Sequence, residues 1–436
     1  MRLVRGLITL IIGVLAVVFL AQPALAFCGF YVAKADTNLY NQASQVIIAR
    51  DGNRTVLTMA NDYQGEVKDF ALVVPVPVIL QEEQVNVGDP EILARLDGFS
   101  APRLVEYFDE NPCDVFLGRQ EDALAPAPQA SSAESSIREK NSLGVTIENS
   151  FSVGEYDILI LSAKESDGLE TWLNQNGYKI PPGAREILQP YIKENLKFFV
   201  AKVNLAEFDA AGFQSLRPLM MAYESPKFML PIRLGMVNAQ GEQDLIVYLL
   251  SPQGHIELTN YRTVQIPSDV EIPGFVQQEF NDFYQAMFTK YHQQEGGRVA
   301  FVEYAWDMGS CDPCSAEPLT PDELRKAGVF WVNPNMGSSV FITRLHVRYT
   351  RDRFPADLHF QETPNQQFFQ GRYVIRHPFR GEMKCDAARD YQLSVKERQE
   401  REAQTLAQLT GWDVGTIRSK MDFIESTPTP WWRKLW

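Results

Sequence analysis

The first 26 residues set the conditions under which the rest of this chain folds. Arg2 and Arg5 precede an apolar run, residues 7–21, and Ala24-Leu25-Ala26 then supplies a small-x-small pattern. This is the form of a Sec-type export signal, with cleavage expected between Ala26 and Phe27. A retained membrane helix needs about 20 apolar residues, whereas this run is shorter and carries Thr9 and Gly13. Phe27 is too bulky to stand where lipidation of Cys28 requires a small residue. The sequence therefore predicts a signal peptide over 1–26 and a periplasmic or extracellular mature protein whose cysteines meet an oxidising compartment. The other long apolar run, residues 70–80, contains Pro75 and Pro77, which suit a strand end or edge and not a bilayer.

Losing Arg2 and Arg5 moves the formal charge from −14 to −16. Duplex nucleic acid and anionic membranes both require clustered Lys and Arg, so neither is expected as the main partner. A protein or small molecule of the cell envelope is expected instead. With 45% hydrophobic residues over 436 positions, the chain can bury one or two sizeable cores.

Hydrophobic patterning points to an α+β fold with mostly antiparallel sheets and packed amphipathic helices. Residues 44–60 form a hairpin pattern around Asp51-Gly52-Asn53, and a buried strand is expected over 70–78. Asp89-Pro90 starts a helix, with Asp as N-cap and Pro at the first position. Residues 119–141 shift to Ala, Pro, Ser and Gln and read as a flexible linker or loop, dividing an N-terminal part, 27–118, from a main part, 142–385. Within the latter, 245–250 and 255–259 bracket Ser251-Pro252-Gln253-Gly254 as a second hairpin. Val276, Phe280, Phe283, Tyr284, Met287, Phe288 and Tyr291 share one helical face, which is expected to pack on a sheet rather than to form a ligand groove. A charged helix over 390–409, stopped by Gly411, opens a C-terminal part, 386–436, that ends in a Trp-rich tail.

Five cysteines outlast the signal: Cys28, Cys113, Cys311, Cys314 and Cys385. All are disulfide candidates, at most two bridges can form, and spacing does not determine the connectivity; Cys113 with Cys28 or with Cys385 are two options. Cys311-Asp312-Pro313-Cys314 has the spacing of a redox dithiol. Its residues lie in a loop, however, because the nearest helix start is the later capping box Thr320-Pro321-Asp322-Glu323. A structural clip is preferred, with redox exchange as the alternative. Zinc would need Cys311, Cys314, Cys385 and His377 together, at a spacing unlike that of known sites, so no metal and no cofactor is predicted.

The chain lacks H-E-x-x-H, G-x-S-x-G, Walker A, G-x-G-x-x-G and EF-hand patterns. Arg344, His346 and Arg348 alternate with Leu345, Val347 and Tyr349, making a basic stripe on one strand face. The three are anion-binding candidates, set against a solvated face paired with nearby carboxylates. Trp431, Trp432 and Trp436 with Arg433 and Lys434 suit either a weak membrane-interface contact or docking on the protein's own body.

Six segments together carry a resemblance. They are Phe27-Cys28-Gly29-Phe30-Tyr31-Val32, Phe70-Ala71-Leu72-Val73-Val74-Pro75-Val76-Pro77, Gly154-Glu155-Tyr156-Asp157-Ile158 continuing to Trp172-Leu173, Tyr304-Ala305-Trp306-Asp307, Cys311-Asp312-Pro313-Cys314, and Arg344 through Tyr349. The chain resembles a bacterial exported family known as domain of unknown function 2330. The resemblance spans nearly the whole mature chain and implies that the parts flanking 119–141 belong to one unit, but it brings no reaction or ligand. The expectation is an exported, non-catalytic binding or envelope-associated structural module stabilised by disulfides. The alternative is a thiol-disulfide oxidoreductase using Cys311 and Cys314.

Overall fold

The computed structural model describes residues 30–33, 40–41, 44–60, 63–64, 70–113, 145–176, 183–211, 216–237, 241–310, 312, 316–333 and 339–424. Residues 1–26, for which an export signal is expected, the 119–141 stretch, Cys28, Cys311, Cys314 and the Trp-rich tail lie outside these residues.

The fold is α+β, with mostly antiparallel sheets. One sheet has five antiparallel strands in the order Phe30–Ala33, Phe70–Val76, Lys197–Val203, Tyr156–Ala163, Val145–Val153. A larger sheet runs Arg262–Gln265, Val299–Asp307, Phe341–Tyr349, Gln243–Ser251, Ser44–Asp51, Arg54–Ala60, Leu219–Glu224, Val85–Val87. Both sheets combine strands from either side of residues 119–141. At the centre of the larger one, Ser44–Asp51 lies parallel to Gln243–Ser251.

The two sheets pack face to face. Leu72, Val74, Ile158, Ile160 and Phe199 of one meet Val46, Ile48, Leu57, Val247, Leu345 and Val347 of the other in a single buried cluster. Such burial stabilises by about 25 cal/mol for each Å² of apolar surface. Helices cover both outer faces. Ser166–Gln175 and Ala184–Lys193 seat Leu169, Leu173, Leu188 and Tyr191 against the smaller sheet. Pro90–Ser100 seats Ile92, Leu93, Leu96 and Phe99 against the larger one. Asp89 caps that helix by accepting from the Glu91 N–H, with Pro90 at its start, as the sequence predicts.

The 44–60 hairpin forms as expected, but the second does not. Ile256–Leu258 leaves the plane of the large sheet and pairs with Leu358–Glu362. The backbone approaches so closely at Gly254 that a Cβ there would lie 2.3 Å from the Asn365 carbonyl oxygen. The turn is thus shaped by long-range contact, and turn propensity alone misassigns it.

At one end, Val270–Glu271, Arg372–His377 and Arg103–Phe108 form a small parallel sheet. The Phe280–Gln294 and Ala387–Thr410 helices pack against it through Phe283, Met287, Tyr373, Ala403 and Leu406. Gly411 ends the long helix in the left-handed region at φ 80°, where only glycine escapes strain. No helix among the described residues is long and apolar enough to cross a membrane.

Candidate functional site

The densest group of chemistry-bearing side chains lies where the basic stripe was read. The strand alternates as predicted: Leu345, Val347 and Tyr349 enter the inter-sheet core, while Arg344, His346 and Arg348 face the other way. That other face is not solvated. The Phe280–Gln294 helix lies across it, stacking Phe288 on His346 at 3.8 Å between ring centroids and under the Arg348 guanidinium. The aromatic stripe of this helix is accordingly core, with Phe283, Met287 and Phe288 buried.

Carboxylates reach the stripe by two routes. Strand register sets Asp244 directly opposite Arg348, where its oxygens accept from Arg348 Nε and Nη2 at 2.8 Å each and from His346 Nε2 at 3.0 Å. Glu303 arrives through a β-bulge. Val302 pairs with Leu345 and Tyr304 with Arg344, so Glu303 is the extra residue of its strand; a bulge of this kind re-aims a side chain. Its carboxylate accepts from Arg344 Nε at 2.6 Å and His346 Nδ1 at 2.7 Å, and also from the Tyr284 hydroxyl. Arg344 Nη1 reaches Asp97 at 2.7 Å, and Asp97 also accepts from Tyr248.

Glu303 is 1% exposed, so burial opposes its charge, but Arg344 and His346 outweigh burial and hold the carboxyl down at about 2. Burial also opposes charge on His346, and Glu303 and Asp244 reverse that effect, raising the imidazole above its ordinary value. His346 thus lies between two carboxylates, one at each ring nitrogen, in a chain of charges that runs out to the partly exposed Asp97. Arg344, His346 and Arg348 are each paired with the protein's own carboxylates.

Glu303, Asp244, Asp97 and Tyr284 were not predicted as site residues. Of these only Glu303 carries a local signal, as the one charged residue within the apolar run 299–306.

Cys113 and Cys385 are bonded to each other, with Cα atoms 5.6 Å apart. Cys385 is thus engaged in the disulfide, and His377 bonds Glu106 at 2.6 Å. Cys311 and Cys314 lie outside the described residues; Ser310 and Asp312 are fastened to the sheet. Trp306 Nε1 donates to the Ser310 carbonyl, while Tyr304 and Gln370 both donate to Asp312. Phe368, half exposed, stacks on Trp306 at 4.3 Å.

Beyond the bridge, Asp109 accepts from Arg398 at 2.7 Å and from Tyr391 at 2.8 Å. Glu402 lies one helical turn from Arg398 and is 5% exposed; its Oε1 has no hydrogen-bond partner. Burial pushes its carboxyl up to about 7, with Arg398 opposing and Glu271 and Asp109 reinforcing. A carboxyl raised in the folded state contributes stability below its unfolded value near 4.5, and that contribution is lost as pH rises through about 7. Glu402→Gln is therefore expected to match the native protein near pH 4 and to be more stable at pH 8, by on the order of 3 kcal/mol. Urea midpoints at the two pH values check this, and an equal difference at both would refute it.

A cleft of about 920 Å³ opens between Gly88-Asp89-Pro90, Arg217 and the short Pro321–Lys326 helix. Lys326 pairs there with Asp89, Arg325 with Asp322, and Arg217 with the buried Glu155. Among the described residues no group of acidic, histidine or cysteine side chains is arranged to hold a metal ion.

Together these features define an α+β protein built on two large packed sheets and closed by a long-range disulfide, whose densest cluster of charge is paired within the fold. The chain belongs to the family described as "Uncharacterized protein conserved in bacteria (DUF2330)", whose profile matches residues 22–361. The whole Asp97–Glu303–His346–Asp244 network falls inside the matched span, whereas Cys385 and the Ala387–Thr410 helix lie beyond it. No curated protein and no solved structure matches the chain.

Proposed function

We propose that this protein is exported to the periplasm or the medium and serves there as a non-catalytic binding or structural module of the cell envelope, closed by disulfide bonding. The observation that carries this is the Cys113–Cys385 bond across a sequence separation of 272, since such bonds persist in oxidising compartments and are rare in reducing ones. The export pattern of residues 1–26 supports it independently. The internal pairing of Glu303, Arg344 and His346 supports a framework role for the cluster that most resembles catalytic machinery. Its partner would be a protein or small molecule of the envelope.

A second function is favoured by the fastened loop. Ser310 and Asp312 are each held by the sheet beside Trp306, on which the exposed Phe368 stacks, so Cys311 and Cys314 would exchange disulfides with a polypeptide resting on Phe368. One experiment separates the two: intact mass of the protein recovered from the producing cells, alkylated along a series of redox buffers. The expected result is an N-terminus at Phe27, a Cys113–Cys385 bond, and a Cys311/Cys314 pair that resists reduction below about −300 mV. Reduction above about −230 mV, lost in Cys311→Ser, makes the protein a thiol-disulfide enzyme instead. An uncleaved chain recovered from the cytosol with every thiol free defeats both.

A further inference from the structure

The Arg103–Phe108 strand stands at the margin of the small parallel sheet. Arg372–His377 pairs along one side of it, and no strand among the described residues pairs along the other. Its end is unusually apolar for such a position: Phe108 is 71% exposed and Tyr107 41%. Phe108 stacks on the His377 ring at 4.5 Å on one face of the strand, and Arg376 lies over Tyr107 on the other, so the two rings flank the margin and together make its ledge. Glu110 is exposed beside it, as is Glu106, whose oxygens already accept from Gln277 and His377. A bare sheet margin with exposed aromatic rings invites pairing with further chain.

The described chain stops beside this ledge. The Ile424 N–H donates to Gln399, and Asp422 pairs with Arg380. Arg398, next to Gln399, holds Asp109, the residue after Phe108. Residues 425–436 follow, with Trp431, Trp432, Leu435 and Trp436 and the cations Arg433 and Lys434. At about 3.4 Å per residue that length reaches on the order of 40 Å, ample for the ledge.

We infer that the 431–436 segment docks on the outer edge of the Arg103–Phe108 strand, covering Tyr107 and Phe108 with its indoles and setting Arg433 and Lys434 against Glu106 and Glu110. The tail matches the ledge in apolar surface and in charge. The 114–144 segment is a poorer occupant: it also leaves from beside the ledge, after Cys113, but it is rich in Ala, Pro and Ser.

Tryptic cleavage after Arg433 and Lys434 in the full-length chain tests the inference, with a synthetic peptide of residues 425–436 as the undocked reference. The native chain is expected to be cut about tenfold more slowly than the peptide, and Phe108→Ser with Tyr107→Ser to restore the peptide's rate. Both side chains are exposed, so that variant should keep the native urea midpoint. Hydrogen exchange over residues 103–110 should quicken when the chain is ended at Ile424. Cleavage of the native tail at the peptide's rate overturns the inference. So does unchanged exchange on truncation, which assigns the ledge to residues 114–144. Sedimentation of the native protein with phosphatidylglycerol vesicles, unaffected by the Phe108 and Tyr107 changes, also overturns it in favour of a membrane-seeking tail.

Discussion

Glu303→Gln is expected to lower the free energy of unfolding by about 3 to 5 kcal/mol, the usual cost of removing one partner from a buried charge group. The amide keeps the shape of the side chain but not its charge, leaving Arg344 and His346 facing a neutral group. At 6% and 9% side-chain exposure, neither can turn to water for compensation. Guanidinium unfolding at pH 6 measures the loss, and a change below about 1 kcal/mol would show that the network is not sealed from solvent.

The pH profile supplies the sign. Glu303 is held below its ordinary value of 4.5, at about 2, so its contribution is complete above pH 4.5 and fades as pH falls toward 2. His346 is raised above 6.5, so its contribution is complete below pH 6.5 and fades as pH rises through its folded value. Native stability from this pair should plateau between those limits, and the variant should lose the acid-side fall due to Glu303. If the cluster is only framework, exchanging Glu303, Arg344 and His346 together for Met, Met and Leu should recover much of the loss, because apolar replacements can equal a buried ion network.

Cys113→Ser combined with Cys385→Ser is expected to cost about 4 to 5 kcal/mol, near the top of the range for a disulfide, because the loop it closes is long. The bond joins the segment just after the Arg103–Phe108 strand to the segment just before the Ala387–Thr410 helix. Its loss should therefore act locally first. Amides of the 103–108 strand should exchange faster before those of the Gln243–Ser251 strand change. Reducing the native protein should reproduce the variant's midpoint, and the variant should ignore reductant. Equal midpoints for oxidised native protein and variant would mean that the bond leaves the unfolded chain unconstrained.

Some of this was legible in the sequence and some could not be. Helix caps at Asp89 and Thr320 act over three residues, so local pattern suffices, and both form as expected. Alternation along residues 344–349 correctly separates two faces, yet says nothing of what covers them; burial beneath Phe288 depends on a helix some 55 positions away. The bulge that aims Glu303 depends on pairing with Phe341–Tyr349, which no local signal encodes. Ile256–Leu258 failed as a hairpin for the same reason, its true partner lying beyond residue 357. The choice of Cys385 for Cys113 likewise needed the small sheet to bring the two ends together.

The parallel seat of Ser44–Asp51 beside Gln243–Ser251 also governs the order of assembly. An emerging chain cannot complete its central sheet until some 200 further residues have arrived, and Phe70–Val76 must wait for Lys197–Val203. Contacts so distant in sequence make folding slow and leave apolar strands uncovered in the interval. Under the proposed export, that delay keeps the chain pliable during passage through a membrane pore and exposes it to aggregation on arrival.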